Sequence, residues 1–284
     1  MTATVHNRPW TGKTIAGLVM IAAGFLILYA QVISGLVQSW QTNDNYSHGF
    51  FIPFLAGFLV WQQRERLSKI DFVPANAGLI LLILSLIFFV IANIGAELFT
   101  MRASMIPVLY AAIVYLLGWR ALQALLLPIG YLIFMVPFPA IIWNMIAFPL
   151  KLFATRIAVA GIHLLNVPVY NEGNIIYLAN TTLEVVDACS GLRSLTTLLA
   201  LSAFIALISS ASRYSKMIIF ISAVPVAIAL NVVRLIATAL MAKWLGPEAA
   251  QGFLHEASGM LVFFLALITI AGITQFLNKT ERRH

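Results

Sequence analysis

The chain has 284 residues, of which 61% are apolar and only 10% charged. A soluble domain carries about one quarter charged residues, so a soluble globular fold is excluded and a polytopic membrane protein is indicated. The net charge of +7 is scattered over short segments between apolar runs, where it reports orientation in a membrane and not affinity for nucleic acid.

Taken in chain order, the apolar runs predict eight spanning helices, at about 14–37, 49–62, 77–95, 103–118, 121–136, 190–209, 217–241 and 256–277, most of them near the ~20 residues a bilayer requires. Arg8 and Lys13 precede a first run that is too long for the apolar core of a cleaved signal peptide, so a membrane span is expected there. Between the first two spans lies a polar patch, NDNYSHGF at 43–50. Its Asn and Asp suit a loop and a helix cap, while Tyr46 and His48 are candidates for lining a cavity on the outer face.

After the fifth span the reading is less direct. PFP at 137–139 predicts a bend, because proline cannot continue a helix without losing a backbone hydrogen bond. Residues 140–165 are apolar enough to span but contain Asn144, Pro149, Lys151, Arg156 and His163. With both termini inside, the inner segments hold Arg8, Lys13, Arg64, Arg66, Lys69, Arg120, Arg213, Lys216, Lys279, Arg282 and Arg283, most of the 17 basic residues. A crossing at 140–165 would turn every later loop over and put the basic segments 209–216 and 278–284 outside. The excess of Lys and Arg on inner loops therefore assigns 140–165 to one or two interfacial helices or a re-entrant element on the outer face. Residues 168–187 then read as an outer hairpin, with NEG and AN as turns and β-branched residues as strands. The expected fold is an all-α integral membrane protein, a single polytopic domain over 1–284 with an outer-face insertion at 137–188.

Three polar residues converge on the outer side of this topology. Cys189, the single cysteine, starts the sixth span and cannot form an intramolecular disulfide. Arg234 lies within the seventh span, in ALNVVRLIATAL, and His255 starts the eighth, in GFLHEASGM. Cys189 and His255 each have a bland explanation, as a small apolar filler and as a solvated or capping residue. An arginine inside a span costs about 2.5–3.5 kcal/mol to insert and normally marks a functional site with a partner. As a set, a helix N-terminus and a nearby cation lower a thiol pKa, and a histidine can act as general base and then as acid to a leaving amine. A guanidinium can hold a developing oxyanion. Those are the requirements of acyl transfer.

Weaker candidates surround them. Asp187 could orient His255 or simply be solvated. Arg193, four residues after Cys189 and on the same helical face, could bind a substrate carbonyl or carboxylate or pair with Glu184. Asn231 could hydrogen-bond Arg234 or pack between helices, and Glu256 suits the start of the eighth helix. The five histidines, His6, His48, His163, His255 and His284, show no metal-ligand spacing, so neither a metal nor another cofactor is expected.

These residues give the chain its resemblance. ACSGLRSL at 188–195, NVVRL at 231–235 and FLHEASG at 253–259, with NYSHG at 45–49 and EGN (with Glu172) at 172–174, resemble the exosortase/archaeosortase family of integral membrane cysteine transpeptidases. The resemblance implies Cys189 as nucleophile with Arg234 and His255 as its partners. It implies substrates that are exported proteins ending in a Pro-Glu-Pro-type motif, a membrane helix and a basic tail, cleaved on the outer face of a bacterial inner membrane. Both termini would be cytoplasmic and the site periplasmic. Such organisms often make exopolysaccharide. A transporter would explain Arg234 as an anion site but not its company, and expects paired broken spans. A non-enzymatic component of polysaccharide export would need none of the three residues.

Overall fold

A computed structural model describes residues 12–179, 181–184, 192–246 and 253–282. The chain is an all-α membrane protein with one small sheet, in two compact units, Met1–Pro139 and Ala140–His284.

The first unit begins with α1 (Gly12–Thr42), followed by a 3-10 turn (Asp44–Phe50) and the short α2 (Ile52–Gln62) and α3 (Arg64–Leu67). Then come α4 (Ala77–Ile94), α5 (Leu98–Ala103), α6 (Met105–Leu117), α7 (Trp119–Gly130) and a second 3-10 turn (Tyr131–Met135). Glu97 starts α5: its carboxylate accepts from the backbone N–H groups of Phe99 (3.1 Å) and Thr100 (2.6 Å), two of the donors a helix leaves orphaned. Arg102 is buried, and its Nη2 donates to Gly35 O (3.2 Å) and Ser39 Oγ (3.0 Å), which fastens α5 to the last turns of α1.

The second unit holds α8 (Ala140–Leu164), strands β1 (Val169–Glu172), β2 (Ile175–Leu178) and β3 (Thr182–Glu184), then α9 (Leu192–Ile208), α10 (Arg213–Leu245) and α11 (Phe253–Glu281). The strands form an antiparallel sheet in the order β1-β2-β3, with Glu172 opposite Ile175 and Ile176 opposite both Asn171 and Leu183. Gly173 in the first turn has φ +60°, a conformation only glycine adopts at no steric cost. The predicted hairpin is therefore present and gains a third strand.

Among the described residues, six helices are long and apolar enough to cross a membrane: Ile15–Thr42, Ala77–Ile94, Leu98–Leu117, Ala140–Leu164, Arg213–Leu245 and Ala257–Glu281. Trp119–Met135 and Leu195–Ile208 are shorter apolar helices, and the second predicted span is reduced to α2.

Of the expected forms, one or two interfacial helices or a re-entrant element, residues 140–165 take that of a single helix. They form neither a broken nor a re-entrant element but one helix of 25 residues, continuous through Pro149. Ala154, Ala158, Val159 and Ile162 pack with Val232, Leu235 and Ala239 of α10. Ala147 joins the cluster that contains Ile219, Ala223 and Ala227. Read in this order, α8 lies alongside α10 and runs in the same direction. Its length and apolar composition also suffice to cross a membrane. If α8 counts as a crossing, the basic segments 209–216 and 278–284 stay inside only if one of the shorter apolar helices does not cross.

At the far end of this unit, Ser212 caps α10, and the Glu281 carboxylate accepts from Ser212 N (2.7 Å), from Ser212 Oγ and from Ser215 Oγ (2.6 Å). Ser212 Oγ accepts from Ser215 N, one of the orphan donors of the first turn, and the carboxylate holds that hydroxyl in place.

Candidate functional site

Arg234 is buried in α10, at 8% exposure. It lies eleven residues before the helix end at Leu245, about 16 Å along the axis. A lone snorkelling arginine would need to reach an interface from there. Instead its guanidinium turns to α11: a Cβ added to Gly259 would stand 3.3 Å from Arg234 Nη1. The glycine thus leaves the room that the guanidinium fills. Gly259 is four residues after His255, one turn further along the α11 backbone.

Two further polar residues share the α10 face of Arg234. Asn231 and Thr238 sit three residues before and four after it, at 1% and 4% exposure. Both amide atoms of Asn231 and the hydroxyl of Thr238 are buried and have no hydrogen-bond partner among the described residues. Helices α8, α9 and α11 each pack against α10, and α11 meets this face at Gly259.

Cys189 and Asp187 lie outside the described residues, as do the side chains of Arg193, Glu184, His255 and Glu256. The backbone around them is informative. Helix α9 starts at Leu192, three residues after Cys189, and packs on both α10 and α11. Within the second unit, then, the sequence predictions Arg234 and Asn231 share one buried face. The His255 backbone lies one turn from the guanidinium's contact on α11.

This buried cation, its polar neighbours and the helix that follows the cysteine fall inside one matched region. The family model for transmembrane exosortases matches residues 40–272. The chain belongs to the transmembrane exosortase family. No curated protein and no solved structure matches it. Family membership and the long apolar helices make the chain a multi-pass membrane protein.

Tyr46 and His48, also within the exosortase match, are tied to the 134–138 segment of the first unit. Asn43 Oδ1 accepts from Asn45 N (3.0 Å) and starts the 3-10 turn. Tyr46 is buried, with its hydroxyl accepting from Phe138 N (3.2 Å) in the PFP bend. Trp40 Nε1 donates to Met135 O (2.9 Å). Burial lowers the pKa of His48, against a backbone hydrogen bond with Phe134 that raises it. The NYSHG motif therefore clamps the end of α1 to the chain segment 134–138. Glu172 is exposed at the end of β1, beside the hairpin turn.

Two residues escaped the sequence reading. Gly259 is one turn from His255 and Thr238 one turn from Arg234, and that spacing was their only signal. Glycine and threonine are common enough in membrane helices to carry no weight alone.

Proposed function

We propose that the chain is a membrane-embedded cysteine transpeptidase or protease that cleaves the C-terminal sorting signal of exported proteins. Cys189, Arg234 and His255 carry the chemistry. The observation that supports this most is the buried guanidinium of Arg234 set against α11, one turn beyond His255, on the helix that α9 packs against just after Cys189.

In this mechanism the Cys189 thiolate attacks the scissile carbonyl carbon. A C–S bond forms and the carbonyl electron pair moves to oxygen, where Arg234 stabilises it. Collapse expels the amine, which takes a proton from His255, and leaves a thioester. A second nucleophile, water or another acceptor, loses its proton to His255, attacks the thioester and releases the thiolate. A site away from bulk water strengthens each of these electrostatic contacts.

The proposal places the enzyme in a bacterial inner membrane, with both termini cytoplasmic and the Cys189 segment periplasmic. Its substrates carry a Pro-Glu-Pro-type motif, a membrane helix and a basic tail. The test is the fate of a tagged protein with such a signal in cells producing the wild-type chain or Cys189→Ala. Processing should stop in the alanine variant, while accumulation and membrane insertion stay normal. Cys189→Ser should be nearly as inactive, because a hydroxyl without a strong base is a far weaker nucleophile. Undiminished cleavage by Cys189→Ala excludes the covalent mechanism.

A further inference from the structure

Among the described residues of this unit, Asn231 and Thr238 on the Arg234 face have buried polar atoms without a hydrogen-bond partner, as does Asn278, at Oδ1, near the end of α11. An amide or hydroxyl buried without a partner is unfavourable by roughly 1–3 kcal/mol, and the lipid interior offers no water to relieve it. Asn231 presents one amide donor group and one acceptor, Thr238 a hydroxyl that can do either. A peptide main chain has the same complement. The spacing fits as well. Seven residues of helix separate Asn231 from Thr238, an axial distance of roughly 10 Å. Three residues of extended chain cover about the same length. Arg234 lies between them on the same face, where a carbonyl of such a chain would pass.

Resting on the activity proposed above, we propose that Asn231 and Thr238 are substrate-binding residues. They hydrogen-bond the main chain of about three extended residues laid along α10 on either side of Arg234. The ligand class is the backbone of an extended peptide, recognised independently of its side chains. Register along the helix then decides which carbonyl meets the guanidinium. The face is closed in the ligand-free protein, so the helices beside α10 part to admit the substrate, whose main chain then supplies the hydrogen bonds these buried atoms lack among the described residues.

The experiment uses the full-length chain with Cys189→Ala, which holds substrate uncleaved, and measures capture of a tagged sorting-signal protein after mild detergent extraction. Thr238→Val and Asn231→Leu are introduced singly into this background, and thermal unfolding is recorded for each. Both replacements keep roughly the same shape while removing the polar atoms. A residue unpartnered in the free protein can be replaced in this way at little or no loss of stability. The expected result is substrate affinity reduced three- to tenfold in each variant, with an unchanged or raised unfolding temperature. Unchanged capture overturns the assignment. So does a fall in unfolding temperature, with or without loss of capture, because the two side chains would then be answered within the protein itself. If the Cys189→Ala parent captures no sorting-signal protein at all, the proposed activity fails and this assignment with it. If the parent captures normally and the variants do too, only the assignment fails.

Discussion

Replacing Gly259 with alanine would place a methyl carbon 3.3 Å from Nη1 of Arg234. Carbon and nitrogen pack comfortably at about 3.5–4.0 Å, so the guanidinium must retreat by ~0.3 Å or α11 must move. Elsewhere in catalysis a misplacement of about 1 Å can cost two orders of magnitude. A shift of ~0.3 Å scales to a loss of about fourfold in the rate of cleavage. Gly259→Val adds further carbons to the same contact and should cost more than tenfold. Stability should move the other way for alanine, because glycine in a helix interior is less favourable than alanine by roughly 1 kcal/mol. The assay is conversion of a tagged sorting-signal protein in reconstituted vesicles at limiting enzyme, with thermal unfolding in detergent measured on the same preparations. Slower cleavage at equal or higher unfolding temperature is the expected pattern. A rate in both variants equal to wild type would refute the idea that Arg234 works from its seat against α11. A parallel loss of rate and unfolding temperature would refute it too, by making Gly259 a packing residue only.

Arg234→Ala should lower processing by 100-fold or more, the scale of an oxyanion donor, and Arg234→Lys should recover little of it, since an ammonium lacks the planar fork. Degradation or failed insertion of both variants in an accumulation assay would make the arginine structural instead. Reporter fusions after Pro139, Leu165 and Asp187 read the path of α8: the last two should report outside, and opposite signals at Pro139 and Leu165 establish that α8 crosses. A cytoplasmic signal after Leu165 or Asp187 would put the Cys189 segment on the wrong face. Hydrogen bonds from Thr100 foremost, and from the Phe99 N–H, hold Glu97 below the usual carboxylate range. The cap's contribution is therefore complete above about pH 4.5 and is lost as pH falls through the lowered pKa. Glu97→Ala should destabilise the protein by about 1 kcal/mol at pH 7 and by progressively less in acid, read from unfolding temperatures across that range.

The long unbroken runs were legible in the sequence because hydrophobic length alone specifies them: α4, α10 and α11 stand where the runs predict, and NEG marked the first β-turn. The packing of helix α8 was not legible. Its Asn144, Lys151 and Arg156 are visible in the sequence, but the small residues Ala147, Ala154 and Ala158 that pack it along α10 reveal themselves only with the partner helix in place. Helix α2 also fell short of its run, because Gly49 and Phe50 were absorbed into the preceding 3-10 turn. In the site, Arg234 announced itself by the cost of a cation in an apolar run. Tyr46 and His48 looked like lining residues because a polar cluster between spans reads alike whether it clamps the chain or binds a ligand. Their hydrogen bonds with Phe138 and Phe134 tie the cluster to the 134–138 segment.

The Ser212–Glu281 contact also imposes an order on biosynthesis. Helix α10 enters the membrane while the carboxylate that completes its cap is still untranslated, as Glu281 comes 69 residues after Ser212. Until α11 has inserted, the first turn of α10 depends on Ser212 and water alone. The second unit therefore closes last at its 212–281 end. A chain stalled or truncated before Glu281 should expose that turn to membrane-associated proteases, even with every apolar run already in the bilayer.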